Sequence, residues 1–261
     1  MDVQLNGKRA LILGASQGIG RAIAQEFAAL GAELVLLARD RGKLEALRVE
    51  LPGDGHSTHR IIAVDMADTP ALEVAIGDLC AEGSVDVIVN NSGGPPPGLA
   101  HTAELDAFEA AFRQHLLAFQ AVVRAAVPGM KERRDGRIIN IISTSVKQPL
   151  HNLGVSNTIR GAVAQWSKTL ANELGPFGIT VNNVLPGATS TDRLTAIIRN
   201  KSMKGGTTDE QAKEEMLDEI PLHRFATPEE IAFAVAFLAG PSGAYINGIN
   251  LPVDGGRTAC L

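Results

Sequence analysis

Short apolar runs alternate along the chain with longer stretches in which apolar residues return every three or four positions. Runs such as Ala10 to Leu13, Val85 to Val89 and Ile138 to Ile142 have the length and content of strands covered on both faces. The pattern predicts strands over 8–14, 33–38, 60–64, 85–90, 136–143, 178–184 and near 249–253. Between them it predicts helices over 18–30, 41–50, 70–82, 153–175 and 227–239, a long helical region over 102–133 and a mixed helical segment over 190–217. A strand–helix–strand rhythm of this kind implies an α/β fold with a parallel sheet. Nothing along residues 1–261 reads as a repeat, linker or second domain. The Gly- and Lys-rich bend KSMKGGTTDE at 201–210 breaks a helical pattern, so 190–217 is expected to form a lid-like insert.

The stretch from Gly136 to Leu174 holds the densest candidate chemistry. After the strand ending near Ile142 comes Ser143, then a loop, then an amphipathic helix with Val155, Ile159, Ala162, Val163, Trp166, Leu170 and Leu174 as its apolar positions. Ser156 opens that helix thirteen positions after Ser143, and Arg160 lies one turn further along the same face. Two hydroxyls and a cation so placed could polarise a carbonyl; Ser156 could equally cap the helix. Lys147 and His151 in the intervening loop are solvated loop residues or unusual proton donors.

Composition narrows the classes. The chain has 261 residues, 45% hydrophobic and 20% charged, with a net charge of −5. With no basic block, neither nucleic acid nor an anionic membrane surface is expected as a partner. No apolar run approaches a membrane span and MDVQLNGKRALILG has no secretory pattern, so the cytoplasm is the expected compartment. Cys80 and Cys260 are not placed as a disulfide framework. His56 and His59 share a loop without cysteine or carboxylate company, and no metal site is expected.

A nucleotide signal follows the first strand. In LGASQGIG, Gly14, Gly18 and Gly20 lead into a helix with Ile19, Ala22, Ile23, Phe27 and Leu30 as its apolar positions. Glycines there let backbone N–H groups approach a diphosphate at a helix N-terminus. At the end of the second strand, Arg39 suits a ribose 2′-phosphate and so favours NADP over NAD, leaving Asp40 as a helix cap. Asp65, after the third strand, is an adenine acceptor or another cap. Asn90, Asn91, Ser92, Gly93 and Gly94 follow the fourth strand, where asparagines can brace a crevice through backbone hydrogen bonds.

LGASQGIG, NNSG, ITVNNVLPG with Pro186 and Gly187, Thr191, and the closing INLPVDGG together resemble the short-chain dehydrogenase/reductase family over the whole chain, with 3-oxoacyl carrier-protein reductases as the nearest pattern. The resemblance implies one Rossmann-type, doubly wound domain of about seven parallel strands in the order 3-2-1-4-5-6-7. It also implies a nicotinamide cofactor, a small carbonyl or acyl-thioester substrate, and a homotetramer or homodimer built through the long helices. The cofactor set it implies is Gly14, Ser16, Gln17, Gly18, Ile19, Gly20, Arg39, Asp65, Met66, Asn91, Ser92, Gly93, Arg160, Pro186, Gly187, Thr189 and Thr191. Of the family's catalytic residues, the Ser corresponds to Ser143, the Tyr position holds Ser156, the Lys position Arg160 and the Asn position His115. The one tyrosine, Tyr245, lies in the C-terminal segment. If Ser143 and Ser156 hold a carbonyl, His115 or a water chain is expected to deliver the proton, because an alkyl hydroxyl is a poor acid and arginine does not titrate.

Overall fold

The computed structural model describes residues 1–53 and 59–260. Its strands are β1 (Arg9–Leu13), β2 (Glu33–Ala38), β3 (Arg60–Ala63), β4 (Val87–Asn90), β5 (Gly136–Ile141), β6 (Ile179–Pro186) and β7 (Asn250–Val253). They form one all-parallel sheet in the order β3-β2-β1-β4-β5-β6-β7. The order reverses between β1 and β4, which opens a crevice at the strands' carboxyl ends.

Helices cover both faces. Between β1 and β4 run α1 (Gly18–Ala29), α2 (Arg41–Glu50) and α3 (Thr69–Glu82). Next come α4 (Leu105–Phe112), a π-helical turn (Arg113–Leu117), α5 (Ala118–Arg133) and, after β5, α6 (Gly154–Leu174). Beyond β6 lie α7 (Asp192–Gly205), α8 (Asp209–Asp218) and α9 (Pro228–Ala239). Alternate strand residues feed two apolar cores: Ala10, Ile12, Leu34 and Leu36 pack with α1 and α9, whereas Leu11, Leu13, Val35 and Leu37 pack with α3, α5 and α6. Strands sandwiched this way need apolar residues at every position, which is the run pattern of the sequence.

The differences from expectation are physical and local. The fourth strand runs from Val87; Asp86 just ahead of it bonds through its backbone to Arg9 and Arg137, and its side chain accepts from the Arg9 backbone N–H at 2.8 Å. The bend at 201–210 is narrower than its composition implies: α7 continues through Gly205, and only Gly206 (φ +64°), Thr207 and Thr208 separate it from α8. The buried face of α6 is rotated from the predicted stripe. It carries Ser156, Arg160, Ala164, Ser167 and Ala171 with Val155, Ile159, Val163 and Leu174, while Ala162, Trp166 and Leu170 are half-buried.

An asparagine row crosses the sheet at one register. Asn90 pairs in register with Asn140, Asn140 with Asn183, and Asn183 with Asn250. Asn90 Nδ2 donates to Asn140 Oδ1 at 2.8 Å, Asn140 Nδ2 to Asn183 Oδ1 at 3.0 Å and to Ser167 Oγ at 3.1 Å, and Asn183 Nδ2 to Asn250 Oδ1 at 2.8 Å. Buried amides are tolerated because each finds a neighbour's amide, and the row ties β4, β5, β6 and β7 together directly below the crevice. His59 is structural too: Nδ1 accepts from the Leu34 N–H at 3.2 Å and Nε2 lies 3.0 Å from the Pro52 carbonyl. His56 lies outside the described residues. Both cysteines are free thiols.

Candidate active site

A cleft of about 1460 Å³ opens above the carboxyl ends of the strands. Its first wall is the turn after β1. An added Cβ at Gly20 would lie 2.1 Å from the Gly14 carbonyl oxygen, and one at Gly14 would lie 2.8 Å from Asn91. The turn can close this tightly only with glycine at both places. Asn91 Nδ2 braces it, 3.3 Å from both the Leu13 and Gly14 carbonyl oxygens. Gln17, the N-cap of α1, makes no side-chain cap bond. The first-turn N–H groups of α1 are thus left without a side-chain cap, beside the cleft, with the positive end of the helix dipole behind them.

At the end of β2, Asp40 caps α2 by accepting from the Lys43 N–H at 3.0 Å. Arg39 reaches over the cleft, 77% exposed and 3.7 Å from Asp65. Lys43 Nζ donates to Gln17 Oε1 at 3.2 Å and joins Arg39 on the cleft lining. Asp65 is not a cap: its Oδ1 accepts from the Ala67 N–H at 2.9 Å, while Asp68 caps α3. The opposite wall is the segment after β6, where Thr191 caps α7 and packs beside Gly18.

The far side of the cleft is built by β5, the loop after it and α6. Ser143 Oγ accepts from the Ser145 N–H at 3.1 Å, which leaves its own proton free to donate into the cleft. Ser156 sits inside the first turn of α6, buried yet on the cleft lining, and Leu153 is the N-cap. Arg160 is buried under the same wall. Its Nη1 donates to the Ile141 carbonyl at 2.9 Å, and its Nε has no partner. Burial lowers its pKa to about 10, with the charge of Arg193 adding to the effect, so it remains a cation at neutral pH.

Every predicted site residue but two lines this cleft. Gly20 lies behind it, against Gly14. His115 is fully buried in the π-helical turn, edge-on to Phe119, and neither ring nitrogen makes a well-aligned hydrogen bond. Burial pushes its pKa down to about 2, helped by the nearby charges of Arg160 and Arg193 and only partly opposed by the Gly93 backbone. A neutral imidazole walled off from the cleft does not suit the proton delivery expected of it. The residue that the π turn presents to the cleft is Gln114, whose Nε2 donates to Ser92 Oγ at 3.1 Å. Gln114, Lys43 and Arg193 are among the cleft residues not singled out from the sequence. Lys43 was readable as a second cation one turn after Arg39; the other two depend on a π turn and on a loop crossing. His151 lines the cleft, whereas Lys147 does not.

With a glycine turn at a switch point and a hydroxyl and a buried cation across from it, the chain belongs to the short-chain dehydrogenase/reductase family, and residues 14–258 match the family model described as enoyl-(acyl carrier protein) reductase. Among curated relatives, the NADPH-dependent reductase BacG of Bacillus subtilis is 31% identical, over 97% of this chain and 98% of its own. The 3-oxoacyl-[acyl-carrier-protein] reductase FabG of Vibrio harveyi is 34% identical, with the same coverage of 97% and 98%. Among solved structures, L-sorbose reductase from Gluconobacter frateurii, complexed with NADPH and L-sorbose, superposes with a TM-score of 0.91 at 32% identity, covering 100% of both chains.

Proposed function

We propose that this protein is an NADPH-preferring oxidoreductase acting on a carbonyl/alcohol pair, most like the 3-oxoacyl reductases, with an altered proton-donor set. The observation that carries the proposal is one cleft holding both halves of the chemistry: the glycine turn with Arg39 and Lys43 at one end, and Ser143, Ser156 and Arg160 at the other. The residues fit the cofactor. The Gly14–Gly20 turn and the α1 N-terminus suit its diphosphate, Arg39 and Lys43 a 2′-phosphate, and Arg160, with its unpaired Nε–H, the ribose hydroxyls. Bound NADPH supplies a hydride.

The chain's own groups do the rest. Ser143 Oγ, oriented by the Ser145 N–H, donates to the substrate oxygen, and Ser156 offers a second hydroxyl from the first turn of α6. Arg160 stabilises the charge that develops there. Tyr245 is fully exposed and no phenol lines the cleft among the described residues, so the proton comes through water or from His151, the imidazole on the cleft wall. Losing a phenol acid costs roughly 10²- to 10⁴-fold, a slowing rather than an abolition. Residues 1–261 act as one domain with α7 and α8 as its lid, assembled as a homotetramer or homodimer. No helix among the described residues is long and apolar enough to cross a membrane.

The test is NADPH oxidation against a panel of 3-oxoacyl thioesters and simple ketones. Turnover that falls in Ser143→Ala while cofactor affinity holds supports the proposal. Tight NADPH binding with no turnover on any of them would favour a cofactor-binding sensor instead.

A further inference from the structure

The substrate end of the cleft holds two guanidinium groups without a counter-charge. Arg193, in the first turn of α7, crosses to the loop after β4, where Nη1 donates to the Gly94 carbonyl at 2.9 Å and Nη2 lies 3.5 Å from that of Pro95. The fit is close: an added Cβ at Gly94 would lie 2.5 Å from Arg193 Nη2. Arg160, the second, bonds only to the Ile141 carbonyl. Among the described residues neither has a carboxylate within the 4.0 Å of an ion pair. The acids on the same lining are otherwise engaged or turned to water: Asp40 caps α2, Asp65 faces Arg39, Glu219 holds Arg257, and Asp192 is exposed on the first turn of α7.

Two neighbouring cations repel one another; Arg160 is buried, which is costly without a partner, while Arg193 is exposed on the cleft lining, where a ligand can reach it. An arginine fork matches the two oxygens of a carboxylate. Around the pair, hydroxyls and amides (Ser143, Ser156, Gln114) share the lining with an apolar strip. Gly98 bridges to Leu153 and brings Leu99 beside it, Leu150 precedes them, and Ile197 stands one turn after Arg193 on α7.

We infer that the substrate of this cleft is a carboxylate with an apolar body, and that Arg193 is the specificity-determining residue that seats the carboxylate. This rests on the oxidoreductase reading above for the word substrate, though not for the binding itself. The cofactor's diphosphate is the other anion that could lie in the cleft. Its place is the glycine turn on the β1 side, whereas Arg193 is tied to Gly94 and Pro95 on the side of Arg160.

The experiment is calorimetric titration of 4-methylpentanoate, and of the neutral 4-methylpentanamide, into the full chain saturated with NADP⁺. The acid is expected to bind at least about tenfold tighter than the amide. Arg193→Gln should erase that preference, Arg193→Lys should keep part of it, and NADP⁺ affinity should change less than about threefold. Equal binding of acid and amide, or binding of neither, overturns the inference. So does a preference that survives in Arg193→Gln, or a loss of NADP⁺ affinity in that variant as large as the loss for the acid, which would assign the arginine to the diphosphate. If NADP⁺ itself fails to bind, the function reading fails, and the acid–amide comparison on the chain alone still decides this one. A melting curve of Arg193→Gln checks folding, and Arg193→Lys, which keeps the charge, serves as the comparison if that variant unfolds.

Discussion

The clearest consequence of the buried His115 is a stability that depends on pH in a way one substitution should remove. In the folded protein the ring stays neutral until about pH 2, because burial and the charges of Arg160 and Arg193 oppose protonation; in the unfolded chain it titrates near 6.5. Below 6.5 the unfolded state therefore binds a proton that the folded state refuses, and stability falls as the pH drops, while above 6.5 the ring contributes no slope. The loss approaches 1.36 kcal/mol per pH unit, so moving from pH 7.5 to pH 5 costs about 2 kcal/mol. Guanidinium unfolding at a series of pH values, for the native chain and for His115→Asn, reads this directly. The variant starts from a different stability at pH 7.5 because the packing against Phe119 is gone, but its curve between pH 7.5 and pH 5 should be flatter by about 2 kcal/mol. The depressed carboxylates, Asp135 held down by Lys8 and Arg137 and Asp254 by the Thr258 and Gly256 N–H groups, lose their contribution at more acid pH and do so equally in both proteins. Parallel curves over that range would mean that the ring titrates normally and faces water, and the assignment of His115 as a packing group would be wrong.

Three further outcomes follow from particular contacts. Asn140→Leu strips partners from Asn90, Asn183 and Ser167 at once; leaving such buried groups unpaired should cost roughly 3 kcal/mol or more in denaturant unfolding, and a loss below about 1 kcal/mol would show that the row is not cooperative. Gly20→Ala forces a Cβ to within 2.1 Å of the Gly14 oxygen and should abolish the fluorescence enhancement of NADPH on binding; an unchanged titration would mean that the turn has room to relax. Ser143→Ala removes the hydroxyl at the end of β5 that the Ser145 backbone N–H orients, and kcat should drop roughly 10²- to 10³-fold with little change in cofactor affinity.

The sheet was legible because strands buried on both faces leave an unmistakable trace: Leu34 to Leu37 and Ile138 to Ile142 have nowhere to be but inside. The cofactor end was legible for a related reason, since glycines at 14, 18 and 20 between such a strand and an amphipathic helix serve few other purposes. What stayed hidden depends on departures from regular geometry. A π turn at 113–117 shifts the helical register, so that a period of 3.6 cannot tell that Gln114 faces the cleft while His115 is entombed. On α6 the inward positions include Ser156, Arg160 and Ser167; the partners of the last two, the Ile141 carbonyl and Asn140, lie on β5, and helical periodicity alone does not show that α6 turns these polar residues toward that strand. Arg193 acquires its meaning only where α7 meets the loop after β4.

The central claim is that the cleft is built for a phosphorylated nicotinamide nucleotide. It is tested most directly by titrating NADPH and NADH into the native chain and into the doubly substituted Arg39→Ala/Lys43→Ala protein. Two charge-assisted contacts to a phosphate predict that NADPH binds about 10- to 100-fold tighter than NADH to the native chain, and that the difference collapses in the double variant while NADH binding persists. Equal affinity for the two nucleotides in the native chain, or binding of neither, would contradict it.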